Sequence, residues 1–405
     1  MKGKVNEDIV LVGAGLTGLT FCNFLKDTDM KITIFDVNSQ EFYNSFDDNR
    51  HIVLSNTSKI ILSNIGIWEE LEGYCTEIKN IHISKKNIFG NTIVRAKDEN
   101  VESLGYQIPL KRLLNRLYEN IKFAKNISIY SQSEVVEVLQ DDIINVKFIK
   151  DKIEEKLSSR ALIFTSGSQL NIVKDLFNSK VNKDYQQNAV ACEILTDSND
   201  SITAFERFTD EGIIGAIPRK KNSWTLIYST NLAESNLINE LDKSKLKDYF
   251  QNLLGTKCGE ILDVKNLVLY PLKLRYFENF TNKNTCLLGD AAHTLHPIAG
   301  QSFNLSVRDC LEITTMLKAF PNKNNINFSN IFSDYAIKRK KEVQRIVKFT
   351  DFLATFIHGK NTIKNKFISL FLLTIDSNKV LRTNVIRYLL GVNFSDKLIS
   401  KMDNK

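Results

Sequence analysis

The chain of 405 residues is long enough for two or three domains with a sizeable core, and its 43% hydrophobic and 25% charged content is that of an ordinary globular protein. The net charge of +7 comes from lysines scattered along the sequence, not from a basic stripe interleaved with aromatics, which argues against a nucleic-acid partner. Six cysteines (22, 75, 192, 258, 286, 310) contain no C-x-x-C pair, so a zinc site and a disulfide framework are disfavoured and a reducing compartment is expected.

Taken in chain order, residues 8–36 read as a β-α-β unit. Ile9-Val10-Leu11-Val12 is a buried strand, residues 16–26 have helical spacing, and Ile32-Thr33-Ile34-Phe35 is a second strand ending at Asp36. The start MKGKVNEDIVLVGAGLTG carries acids before its apolar run and does not read as a signal peptide. A helix is predicted over 56–65, stopped by Gly66. Short alternating segments, IHIS and NTIV, flank Gly90-Asn91 as in a hairpin. Residues 110–124 are helical again, and Ala161-Leu162-Ile163-Phe164 is another buried strand. From about 188 to 275 the pattern is strand-rich (AVACEIL, SITAFERF, SWTLIYST, NLVLYPL), with one helix predicted over 237–254. Helices then dominate to the end, and the longest apolar run, 367–375, is too short to span a bilayer. The expected fold is α/β. A Rossmann-like nucleotide-binding domain (1–75, 105–180 and 276–340) receives an inserted β-sheet substrate domain (76–104 and 185–275), and a helical region (341–405) follows.

Two glycine-rich turns carry the chemistry. Gly13-Ala14-Gly15-Leu16-Thr17-Gly18 sits between a strand and a helix, where glycines permit a tight turn and close backbone approach to a pyrophosphate. The helix N-terminus presents free N–H groups to the phosphates, and Asp36, 23 residues after Gly13, is placed to accept ribose hydroxyls. The second turn, TCLLGDAAHTLHPIAGQSFN over 285–304, puts Asp290 near a strand tip, where it can accept hydroxyls from a polyol chain. Its Pro297-Ile298-Ala299-Gly300 segment feeds a helix predicted to begin near residues 302–304, whose N–H groups face developing negative charge on a reduced flavin. A ribityl chain and such a ring belong to FAD and not to NAD, so the expected cofactor is FAD.

Over nearly its whole length the chain resembles the aromatic-ring flavin hydroxylases (class A monooxygenases), most closely the ubiquinone-biosynthesis hydroxylases acting on polyprenylphenols. The resemblance rests on the first glycine turn, Asp47-Asp48-Asn49-Arg50 before VLS, IHIS at 81–84, and Leu104-Gly105-Tyr106. It continues through FERFT at 205–209, Tyr270-Pro271-Leu272, GDAAHTLHPIAGQ at 289–301 and FTD at 349–351. IHIS and TLHPIAG are most similar to the branch hydroxylating 2-polyprenyl-6-methoxyphenol. The resemblance implies cofactor contacts at Gly13, Gly15, Thr17, Gly18 and Asp36 for the adenosine half. For the flavin half it implies Arg50, Gly289, Asp290, Pro297, Gly300, Ser302 and Asn304. It also implies NAD(P)H as reductant, O2 as co-substrate and a lipid-tailed phenol as substrate. The pattern departs from the family where Thr165-Ser166-Gly167 replaces a G-A-D-G turn, so that serine stands for an acid. Two glycines after Gln301 are also serines, Ser302 and Ser306, Pro109-Leu110 replaces Glu-Asn, and Ile213 replaces a proline.

Competing readings bear on several residues. His293 and His296 are three apart, but no Cys or carboxylate cluster completes a metal set, so no metal is expected. His293 reads as structural, while His296 and Arg50 are the catalytic candidates. Phe205, Phe208, Tyr270 and His296 are candidates for lining a substrate pocket, against the plain reading of strand aromatics as core. From Lys360 the chain holds nine basic residues against three acids, with apolar groups between them. Such a segment either rests on an anionic membrane or packs on the main domain with a solvated basic face. The functional expectation is an FAD-dependent hydroxylase in the cytoplasm, at the inner face of the membrane, with partners in a quinone-biosynthesis complex. The alternatives are a flavin-binding scaffold of such a complex, motivated by Ser166, and a flavin reductase on the same fold.

Overall fold

Runs of branched apolar residues buried on both faces form parallel strands, because only a sheet covered on both sides hides them completely. In the computed structural model, Thr285–Leu287, Ile153–Phe164, Glu7–Val12, Ile32–Phe35 and Ile127–Tyr130 lie side by side in that order, all parallel. Ile9, Val10, Leu11, Ile32, Ile34, Leu162, Ile163 and Leu287 have no exposed surface. The structure describes residues 5–45, 49–87, 91–141, 143–167, 170–177, 180–220, 222–356 and 374. Asp47 and Asp48 of the family-like loop, Gly90 of the hairpin and the basic tail from Lys360, Thr374 apart, lie outside the described residues.

The helix Leu16–Leu25 is buried along almost its whole length, between this sheet and the helices Leu110–Glu119 and Gln301–Lys318. A second, eight-stranded sheet runs His293–Thr294, Ile261–Phe277, Lys180–Thr196, Ser223–Asn231, Gly212–Pro218, Thr203–Phe208, Asn80–Lys85, Asn91–Arg95. The IHIS and NTIV segments therefore pair as expected, and they extend the sheet built by residues 180–277. A three-stranded sheet (His51–Ser55, Gly105–Pro109, Thr76–Ile78) is tied to the second by the Gln107 side chain, which reaches Thr225.

The single helix predicted over 237–254 is two helices, Leu232–Glu240 and Lys243–Leu254. Leu241 is extended, and the Asp242 side chain accepts the backbone N–H of Lys245 at 2.9 Å, so this carboxylate opens a new helix in the middle of the apolar pattern. Both helices cover one face of the second sheet, against Phe205, Ile214, Trp224, Leu226 and Tyr228. The long helix Phe328–Phe356 closes the described fold.

Candidate functional site

The two glycine turns meet. Gly13 has φ +109°, and a Cβ there would lie 2.6 Å from the Ser166 Cβ, so the first turn is pressed against the turn that follows the Ile153–Phe164 strand. Thr165 ties the two together, donating its hydroxyl to the Gly13 carbonyl at 2.6 Å. A Cβ on Gly18 would collide with the Gly13 carbonyl. Gly289 has φ +57°, and a Cβ there would strike the Thr17 side chain and approach Ser306 Oγ to 2.8 Å. Thr17 is thus spent on packing one turn against the other. Gly15 differs: a Cβ there meets nothing within 4 Å, so the space above the first turn is open to a ligand.

Carboxylates stand at both ends of this cradle. Asp36 accepts the Ala14 N–H at 2.6 Å and two bonds from Asn38 at 2.8 Å each, which fixes it at the strand end with lone-pair capacity remaining. Asp290 is exposed and accepts the Ser302 hydroxyl at 2.9 Å. Its turn is clasped by Arg275, which donates to the carbonyls of Asp290 (2.8 Å) and Gly167 (3.1 Å) and to the Thr294 hydroxyl (3.0 Å). The open Gly15 face, Asp36 and Asp290 fit an elongated dinucleotide lying across both turns.

Other predicted residues have different tasks. The Asn304 side chain is buried and committed to protein groups. Its Oδ1 accepts from Ser55 N–H (2.8 Å) and Ser58 Oγ (2.7 Å), and its Nδ2 donates to the carbonyls of Val53 (2.9 Å) and Gly300 (2.7 Å). It staples the helix Gln301–Lys318, which starts one residue before the predicted range, to the strand His51–Ser55. Pro297 and Gly300 bracket a single 3-10 turn in front of that helix, and a Cβ on Gly300 would lie 3.5 Å from Val53 Cβ. Arg50 is exposed just before the strand, its carbonyl accepting from Leu110 N–H at 2.9 Å. His296 is buried behind Ile298, 3.3 Å from Gln187 Oε1. His293 is buried against Asp309, Nε2 to Oδ2 3.0 Å, and Asp309 also accepts from Arg339 Nε at 2.6 Å. Burial opposes the charge on Asp309, but Arg339 and His293 hold its carboxyl below the usual range. Among the described residues no group of three or more His, Cys, Asp and Glu side chains is arranged for a metal ion.

The inner face of the second sheet completes the site. Phe205, expected at the substrate pocket, points the other way: its ring packs on Trp224 and His82, on the side of the helices Leu232–Glu240 and Lys243–Leu254. Strand alternation reverses the direction of the next residue. Phe208 and Ile213 are therefore on the inner face, packed against Ile298 of the second glycine-rich turn. Tyr270 shares this face by register, 37% exposed near its edge. Four residues along, Thr225 accepts from Gln107 Nε2 (2.5 Å) and Arg219 Nε (2.7 Å), and Arg219 donates to the Asn49 carbonyl at 2.8 Å. Gln107 pairs with Val53, which touches Gly300 in turn. Between the Phe208–Ile213 row and the Thr225 row lies one formed by Ile83, Glu206, Gly215, Ile227 and Ala191. The flanking Phe208, Ile213 and Thr225 are buried, whereas every residue of this middle row keeps part of its surface accessible. The sheet thus keeps an accessible strip, or hollow, between its contact with Ile298 and its contact with Gln107. The one carboxyl of this strip, Glu206, is pushed up to about 7 by burial. Arg275, Gln107, Arg219 and Glu206 were not singled out in the sequence. Only the alternation of the FERF strand, which sets Glu206 opposite to Phe205, carried a signal.

The profile of the FAD binding domain family matches residues 6–350. The chain is 25% identical to slr1300 of Synechocystis, a protein of uncharacterized role, over 86% of this chain and 84% of that protein. It is 24% identical to the ubiquinone hydroxylase UbiM of Neisseria meningitidis, over 98% of this chain and 84% of that protein. Among solved structures, the p-nitrophenol 4-monooxygenase PnpA of Pseudomonas putida superposes with a TM-score of 0.76 at 15% identity, covering 96% of this chain and 99% of that one.

Proposed function

The chain belongs to the FAD binding domain family and is an FAD-dependent monooxygenase, and from that premise we propose that it hydroxylates the ring of a lipid-tailed phenol, a polyprenylphenol precursor of ubiquinone, with NAD(P)H and O2. The observation that carries the reading is the partly exposed strip on the inner face of the second sheet: Ile83, Gly215, Ile227 and Ala191 form it, with Glu206 as the ionisable member of that row. An apolar slot with one polar anchor suits a hydroxylated aromatic ring. Similarity to a protein named as a ubiquinone hydroxylase supports the substrate class.

When bound, FAD supplies the redox chemistry, taking electrons from NAD(P)H and activating O2. The first turn and Asp36 hold the adenosine end, and Asp290 with Ser302 receives the polyol. Arg275 fixes the Asp290 turn, and the start of the Gln301–Lys318 helix offers N–H groups to negative charge on the ring system. The contacts of Ile298 with Phe208 and Ile213, and of Gln107 with Thr225, hold the sheet against the second turn and the strand His51–Ser55 on either side of the row. The basic segment from Lys360 is proposed to rest on the anionic inner face of a membrane, where the substrate resides.

The purified protein is expected to be yellow, with one FAD per chain. It should oxidise NAD(P)H faster when 2-polyprenyl-6-methoxyphenol is added, with a product heavier by one oxygen in mass spectrometry. Asp290→Ala should weaken FAD binding roughly ten- to hundredfold through loss of a charge-assisted hydrogen bond. Oxidation of NAD(P)H without hydroxylated product would assign a reductase. Bound FAD with no turnover would assign a scaffold.

A further inference from the structure

Glu206 is the residue whose position the fold explains least. It sits in the middle of an apolar row on the inner face of the second sheet, beside Gly215, whose missing side chain leaves space 3.6 Å from Glu206 Oε2. Its carboxylate takes no hydrogen bond and no ion pair from the described residues. The other charged groups of that face are matched: Lys85 with Asp210 at 3.6 Å on one side, and Arg219 with Glu193 at 2.9 Å on the other. His296 lies behind Ile298 beside Gln187, and Arg50 is at the exposed rim. Arg207 and His82, its neighbours along and across the sheet, point to the opposite face, toward Leu254 and Lys257. A carboxylate in such a place costs stability unless a ligand satisfies it.

We propose that Glu206 receives the hydroxyl of the phenol: its carboxylate oxygen accepts the O–H as a hydrogen bond and takes the proton as the ring is hydroxylated. The O–H bond breaks, its electron pair passes into the ring, and the proton ends on Glu206, to leave when the product does. This rests on the ring-hydroxylase reading above. A ring carrying oxygen with negative charge is the more nucleophilic ring, so a base at this point serves the reaction directly. With its carboxyl held near 7, Glu206 is poised to be ionised in the resting protein and protonated after transfer. The hollow thereby selects aromatic compounds with a free hydroxyl over their ethers.

Calorimetric titration of the FAD-loaded full chain with 2-methoxyphenol and with its methyl ether, 1,2-dimethoxybenzene, tests this. Measurements at about pH 5.5 and about pH 8.5 lie either side of the Glu206 titration. The wild type should prefer the phenol roughly ten- to hundredfold at the higher pH and lose most of that preference at the lower, because a protonated carboxyl donates to either oxygen. Glu206→Gln should bind both compounds similarly at both pH values. Gly215→Ala, which narrows the hollow without changing charge, should weaken both compounds and keep the pH dependence. An unchanged preference and pH slope in Glu206→Gln, or no preference in the wild type, overturns the assignment of Glu206 alone. Failure of both compounds to bind at either pH overturns the ring-hydroxylase reading with it.

Discussion

Two carboxylates with opposite surroundings show how single residues divide structure from function. Asp309 is 1% exposed and held between Arg339 and His293, with Glu342 bridging Arg339 to Arg308. Burial works against its charge, the partners outweigh burial, and its folded carboxyl stays below the usual range. Its contribution is therefore full above the unfolded value near 3.8 and is lost as pH falls through the folded one. Asp309→Asn should cost about 3–5 kcal/mol at neutral pH by breaking its buried pair with Arg339, which then keeps Glu342 alone, and urea unfolding measures it. Glu206 has the reverse sign. Its carboxyl rises from 4.5 to about 7, so its contribution is full below 4.5 and is lost as pH rises through 7. In the same unfolding series, Glu206→Gln should stabilise the protein above pH 7 and change little at acid pH. The sequence disclosed Asp36 by its place at the end of the strand after the first glycine turn, and Asp290 by its place directly after Gly289 at the second. It did not disclose Glu206, because whether a strand carboxylate faces packed helices or an open hollow depends on elements far away in the chain.

At the scale of elements, each glycine of the turns answers a different demand. Gly289 combines a left-handed backbone with contact on Thr17 and Ser306, whereas Gly15 has φ −74°, an ordinary backbone angle, and open space where a Cβ would stand. Gly289→Ala should therefore lower the melting temperature of the apoprotein and FAD affinity together, through strain of about 1–3 kcal/mol. Gly15→Ala should leave melting nearly unchanged and weaken FAD alone, by standing in the path of the pyrophosphate. A melting scan with an FAD titration separates the two, and equal loss of stability in both variants would count against an open cradle at Gly15. The β-α-β unit, the second turn and the hairpin were legible because their periodicity and their breakers are local. The split helix was not: 232–254 continues an apolar pattern through Asp242, and the capping bond to Lys245 is a local alternative that periodicity does not weigh. Asn304 was legible as important, yet its partners Ser55 and Ser58 lie some 250 residues earlier, so its task as a staple appears only in three dimensions.

For the whole molecule, the distribution of charge matters more than its total. The nine basic and three acidic residues from Lys360 onward account for six of the seven net positive charges, so residues 1–359 are close to neutral. A nearly neutral body suits a site that admits an apolar, lipid-tailed ring, and no described helix is long and apolar enough to cross a membrane. The substrate class proposed above lives in the bilayer, and the basic tail proposed above would bring the protein to its surface. Each Lys or Arg near an anionic leaflet contributes about 1 kcal/mol, and the attraction fades within a Debye length of roughly 8 Å at physiological salt. Apolar groups such as FISLFLL within the same segment add burial at the interface. The full chain is therefore expected to sediment with vesicles containing phosphatidylglycerol and to remain in solution with neutral phosphatidylcholine vesicles. Raising the salt to about 0.5 M should release much of it, since charge supplies most of the attraction. A chain ending at residue 359 should stay in solution with both kinds of vesicle, keep its FAD, and retain turnover of a short-chain, water-soluble phenol. Sedimentation that ignores salt or lipid charge, or that survives the truncation, would move the membrane contact away from the tail and onto the body of the protein.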